Sequence, residues 1–121
     1  MNRLRIMLVE DDAVIAMLFS EVLAEMGHTV CAVVATESDA VIEAARTKPQ
    51  LLIVDARLGS GSGITAVETI EMTGAIPHFF ISGNSANVRA LRPDSLVLQK
   101  PLYEADLSRA IAQVLEGSIR C

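Results

Sequence analysis

Short aliphatic runs alternate with amphipathic stretches along this chain. Residues 4–9 are apolar at every position but Arg5, the mark of a strand buried on both faces. Residues 13–26 have helical spacing, with Val14, Ile15, Leu18, Val22, Leu23 and Met26 on one face. Asp12 is placed to cap that helix and Gly27 to end it. Residues 29–35 predict a second strand, 38–47 a short helix stopped by Pro49, and 51–54 a third strand running into Asp55. A flexible loop of glycines and serines at 59–63 leads to a helix over 64–72. Strands four and five are predicted at 78–81 and 95–99, with a short helix at 84–91 between them and a last helix over 103–115.

Strands that alternate with helices in this way predict an α/β domain with a parallel sheet covered on both faces. Right-handed crossovers leave few topologies, and the doubly wound five-stranded order 2-1-3-4-5 is the natural one. In that order, strands one and three are neighbours at the switch point, and ligands sit beyond the strand C-termini there.

Composition narrows the reading. Of 121 residues, 51% are apolar and 3% aromatic, so the core is aliphatic and disorder is excluded as the main state. A chain of this length buries roughly two-thirds of its unfolded surface. Ten basic residues stand against fifteen acidic ones and form no stripe, which argues against direct nucleic-acid binding. No run approaches the roughly eighteen apolar residues of a membrane span, and no signal segment is visible. Cys31 reads as a buried thiol and Cys121 as a loose terminal one, so no disulfide framework is expected and the setting is a reducing cytoplasm.

The chemistry lies at the C-terminal end of each strand. Glu10, Asp11 and Asp12 come after strand one, Asp55 ends strand three, Ser82 comes after strand four, and Lys100-Pro101 after strand five. Neighbouring strands lie about 4.8 Å apart, which brings Glu10 and Asp11 beside Asp55, and Lys100 starts roughly 10 Å away with a stem long enough to close most of the gap. Clustered carboxylates raise one another's pKa unless a cation sits among them. An all-oxygen donor set without His or Cys suits Mg²⁺ rather than zinc. Asp12 is best read as a helix cap, and His28 and His78 as structural. The glycines at 59–63 are no P-loop, since no Gly-Lys-Ser/Thr comes after them.

Leu8-Val9-Glu10-Asp11-Asp12, Ile53-Val54-Asp55, Phe80-Ile81-Ser82-Gly83 and Leu98-Gln99-Lys100-Pro101 together resemble the receiver domain of two-component response regulators, with its flavodoxin-like fold. The match spans essentially the whole chain, and Gly63 sits where the family has a glycine after the third strand. The resemblance implies that Asp55 accepts a phosphoryl group from the phosphohistidine of a sensor histidine kinase or phosphotransfer protein. It implies that Asp11 and Asp55 hold Mg²⁺ directly, Glu10 through water, and Arg57 through its backbone carbonyl. Ser82 would bond the phosphoryl oxygen, Lys100 would pair with Asp55 and then with the phosphoryl group, and Pro101 would be cis. Such a domain is no multiple-turnover enzyme; it assists only its own phosphorylation and dephosphorylation.

Three departures bear on output. Val97 replaces the family's usual aromatic three residues before the lysine. The stretch from Ser82 to Lys100 is short by roughly one helical turn of 3.6 residues, which predicts a short or mobile fourth helix. The segment 77–83 resembles a variant of the Phe-Ala-Thr-Gly signature of stand-alone receivers, and the loop after Asp55 has Gly59 and Ser62 in place of the usual Pro and Asp. Since only residues 116–121 lie beyond the last helix, we expect one receiver domain over 1–121 without an effector domain, as a whole protein or equally as a piece of a hybrid kinase or longer regulator. Its output would be contact with a downstream protein or onward phosphotransfer, as a monomer or a phosphorylation-dependent dimer. The rival is a receiver-like scaffold that binds its partner without phosphorylation. An aspartyl phosphohydrolase fits less well, because Arg57 stands where those enzymes carry a second Asp. Flavin binding fits the fold but not the acidic loop after strand one.

Overall fold

The structure is a computed structural model that describes residues 3–120, with side chains through residue 117. Strand β1 (Arg5–Val9), helix α1 (Ala13–Glu25), β2 (Thr29–Val34), α2 (Glu37–Thr47) and β3 (Leu51–Asp55) make the first half. A two-residue antiparallel hairpin, β4 (Arg57–Leu58) and β5 (Gly61–Ser62), then leads into α3 (Gly63–Glu71). The second half is β6 (His78–Ser82), α4 (Ser85–Leu91), β7 (Val97–Gln99) and α5 (Glu104–Arg120). The main sheet runs β2-β1-β3-β6-β7 with all pairs parallel, the expected order 2-1-3-4-5 once the small hairpin is set aside.

Alternate residues of each central strand feed two cores. Met7, Val9, Leu52, Val54 and Phe80 point to the side covered by α2, α3 and α4, through Ala40, Ala44, Val67, Ile70 and Val88. Ile6, Leu8, Leu51, Ile53, Phe79 and Ile81 point to the side covered by α1 and α5, through Leu23, Leu107, Ala110 and Ile111. Burial on both faces is why these strands are aliphatic throughout. It also leaves the polar residues only one place to gather, the strand ends.

Several local expectations are corrected. Helix α1 turns Ala16 and Leu23 inward, while Val14 and Leu18 of the expected inner face are exposed, as is Met17. The Gly/Ser stretch is an ordered hairpin: Gly59 takes a left-handed φ of 56°, and the Glu37 side chain packs on Gly61 and accepts from the Ser62 amide at 2.7 Å. Strand β7 begins at Val97 rather than 95, and α5 continues to Arg120 rather than ending at 115. Cys31 is half-buried, its thiol 3.5 Å from the Ile6 carbonyl oxygen; Cys121 lies outside the described residues. His28 does serve a structural end, its Nδ1 accepting from the Leu4 amide. Burial lowers the pKa of that imidazole, which favours the neutral form able to accept. Among the described residues, no helix is long and apolar enough to cross a membrane.

Candidate phospho-acceptor and metal site

The Glu10 amide donates to the Val34 carbonyl at 2.9 Å and so extends the β1–β2 ladder by one residue. This places the Glu10 side chain in the interior, whereas Asp11 is exposed. The Asp12 carboxylate accepts from the amides of Val14 and Ile15, at 2.9 and 3.1 Å, and starts α1 as a cap. The Asp12 amide in turn donates to Glu10 Oε2 at 3.1 Å.

Asp55 ends the middle strand and is 6% exposed. Its Oδ1 accepts from the Arg57 amide at 2.9 Å and its Oδ2 from Lys100 Nζ at 2.7 Å. Lys100 comes from the far edge of the sheet, held by its own amide bonding the Ser82 carbonyl at 2.9 Å, and is joined to Pro101 by a cis peptide. It also stands 4.0 Å from Glu10 Oε1. Ser82 is buried, and its Oγ accepts from the Asn84 amide at 2.9 Å. Gly63 is required behind the site, because a Cβ there would overlap the Asp55 carbonyl oxygen.

Electrostatics derive from three carboxylates and one ammonium. Burial pushes the Glu10 carboxyl up to about 7; the Asp12 amide opposes this and the charge of Asp55 adds to it. Burial lowers the pKa of Lys100, but its hydrogen bond to Asp55 and the charges of Asp55, Glu10 and Asp11 outweigh that and leave it raised. A proton on Glu10 and an ammonium against Asp55 are therefore the protein's own means of balancing the cluster.

One carboxylate oxygen from each of Glu10, Asp11 and Asp55 lies within 4.8 Å of the others. The donor set is all oxygen, two of its members are buried, and its charge is only partly met by Lys100. That chemistry fits a hard divalent cation. The surrounding cleft, about 690 Å³, is lined by these residues with Arg57, Ser82 and Lys100, so every site residue singled out from the sequence borders one space. Gly59 and Asn84 also line it, and the sequence gives neither a place in the site. Asn84 stands two residues beyond Ser82, and that offset is its only sequence signal.

The model of the response regulator receiver domain matches residues 6–112. The chain belongs to this family. The receiver is 32% identical over 114 residues to the phyllosphere-induced regulator PhyR of Methylorubrum extorquens, covering 91% of this chain and 43% of that protein. The solution structure of the Erythrobacter litoralis PhyR receiver domain superposes with a TM-score of 0.85 at 28% identity, over 94% of this chain and 91% of that one. The crystal structure of the anti-anti-sigma factor PhyR from Bartonella quintana superposes with a TM-score of 0.90 at 28% identity, over 99% of this chain and 50% of that one. The receiver thus spans less than half the length of the curated relative and about half of the longer structure. Family membership makes it a response-regulator component of two-component signalling.

Proposed function

We propose that this receiver accepts a phosphoryl group on Asp55 from the phosphohistidine of a sensor kinase or phosphotransfer protein. The observation that carries the reading is the setting of the Asp55 carboxylate. It is buried, held at one oxygen by Lys100 at 2.7 Å and at the other by the Arg57 amide, and lies within 4.8 Å of two further acids. Glu10, Asp11 and Asp55, with the Arg57 carbonyl, would hold Mg²⁺. The ion supplies charge neutralisation where the equatorial phosphoryl oxygens gather negative charge.

The chain's own residues do the rest. An Asp55 carboxylate oxygen forms the new O–P bond as the P–N bond of the phosphohistidine breaks, and the imidazole leaves with the electron pair. Lys100 pairs with the Asp55 carboxylate before transfer and moves with the charge onto the phosphoryl group afterwards. The Ser82 hydroxyl, whose oxygen already accepts from Asn84, has its proton free to donate to a phosphoryl oxygen. Covalent change stops at the chain's own aspartate, so the protein is not an enzyme in the usual sense.

Output is contact with a downstream protein in the cytoplasm. The Bartonella quintana relative is named an anti-anti-sigma factor, which supports a protein partner of this kind. Incubation with acetyl phosphate and Mg²⁺, then intact-mass measurement, tests the reading. One added phosphoryl mass, lost in Asp55→Asn and in the presence of chelator, is expected; no addition to the wild-type chain overturns it.

A second reading, a scaffold that binds its partner without phosphorylation, is favoured by Val97 and by the seven residues of α4. It requires a partner bound equally by wild type and Asp55→Asn.

A further inference from the structure

Val97 is 3% exposed and packed in the core with Val88 of α4, and its side chain has no polar atom. A rotating side chain at this position therefore cannot report the state of Asp55. Two other residues join the same parts of the molecule. Gln99 reaches back from β7 to the loop after Ser82, where its Oε1 accepts from the Ser85 amide at 3.0 Å and its Nε2 donates to the Gly83 carbonyl at 2.9 Å. Arg89, midway along α4, donates to Ser85 Oγ at 3.1 Å and to the Val97 carbonyl at 3.0 Å. That carbonyl belongs to β7, the edge strand of the sheet. The C-terminal end of α4 is moored separately, by Arg92 against Glu71 at 3.2 Å and over the Phe80 ring.

We propose that Arg89 and Gln99 form a latch that ties the Ser82 loop and the start of α4 to β7, and that this latch transmits the state of Asp55 to the β7–α4 face. The inference rests on Asp55 being the phospho-acceptor. When the Ser82 hydroxyl turns to a phosphoryl oxygen, residues 83–85 move with it, and the side-chain bonds that join those residues to β7 run through Gln99 and Arg89. A helix of seven residues has little stability of its own, so losing these bonds loosens its first turn while Arg92 holds its last. The latch needs two acceptors reached at once from a planar guanidinium, which a lysine cannot supply.

Hydrogen exchange on the full chain, with and without acetyl phosphate and Mg²⁺, tests this beside intact-mass measurement on the same samples. In the unmodified state, Arg89→Ala and Gln99→Ala each remove two of these bonds and should each speed exchange over residues 85–91 at least about fivefold, the equilibrium value of a single lost hydrogen bond, while the central strands stay as slow as in wild type. Arg89→Lys should recover only part of the protection. Phosphoryl addition should continue in these variants, and phosphorylated wild type should exchange over 85–91 at least as fast as they do, so that phosphorylation adds a smaller further change in each variant than in wild type. Exchange in Arg89→Ala and Gln99→Ala equal to wild type, or a full phosphorylation-dependent change surviving in both, overturns the latch. Absence of phosphoryl mass on wild type overturns the acceptor reading instead, and with it the signalling part of the latch; the unmodified samples then still decide whether the tie exists.

Discussion

Lys100 Nζ lies 2.7 Å from Asp55 Oδ2, so the Lys100 ammonium is spent on the proposed phospho-acceptor. A cation entering the cluster would compete with that ammonium for the same carboxylate, while the proposed phosphoryl transfer would need both. Lys100→Met should therefore separate the two events. Phosphoryl gain from acetyl phosphate should fall about tenfold or more, the scale of one charge-assisted hydrogen bond. Mg²⁺ affinity, measured by titration calorimetry, should stay level or rise. A parallel loss of both would mean that Lys100 mainly holds the site together.

Glu10 ties the stability of the chain to pH. Its carboxyl keeps its proton to about 7 in the fold, mainly through burial, against an ordinary 4.5. Between those values the folded chain binds more protons than the unfolded one, so stability falls as pH rises through this window. Without divalent ions, thermal stability should therefore decline from about pH 5 to pH 8 on account of this group. Glu10→Gln should flatten the decline. Mg²⁺ has to displace the same proton, so its affinity should rise with pH through neutrality and its binding should release protons near pH 6.

The strand ends are legible in the sequence because the physics there is one-dimensional. An aliphatic run buried on both faces can carry Glu10, Asp55, Ser82 or Lys100 only at its end, and the order of the strands then brings the ends together. Helix α1 is harder for the opposite reason. Val14, Ile15, Met17, Leu18, Phe19, Val22 and Leu23 surround it almost completely, so periodicity does not single out the face that Ala16 and Leu23 bury. The stretch at 59–63 reads as a flexible loop because the order of the hairpin it belongs to comes from elsewhere: Glu37, on helix α2, holds it. The latch of Arg89 and Gln99 likewise joins residues whose meeting depends on the packed fold.

Gly63 makes a steric claim that can be tested apart from any chemistry. A Cβ at this position would overlap the Asp55 carbonyl oxygen and press on the Val54 side chain, both in the packed interior. Gly63→Ala should cost about 1–3 kcal/mol or more in chemical denaturation, since backbone cannot yield as a side chain can. Gly61→Ala offers the contrast. There the added methyl meets only the end of the Glu37 side chain, which can rotate away, so its cost should be smaller and should come with loss of the Ser62 amide bond. Equal costs would show that the hairpin and the strand behind it yield together.

Neighbouring aspartates in the β1–α1 loop have separate work, and alanine substitutions should divide it. Asp12 spends its carboxylate on the amides of Val14 and Ile15. Asp12→Ala should cost about 1 kcal/mol of stability, the usual value of a helix cap, and change Mg²⁺ affinity little. Asp11 is exposed and contributes an oxygen to the cluster with Glu10 and Asp55. Asp11→Ala should leave metal-free stability nearly unchanged, or raise it slightly by easing repulsion, while Mg²⁺ binding is lost over the millimolar range. Calorimetric titration of the two variants beside thermal melts without metal reads both effects. If Asp12→Ala lost the ion as completely as Asp11→Ala, the cap would also be a ligand, and the cation would sit nearer the start of α1 than the three-acid cluster places it.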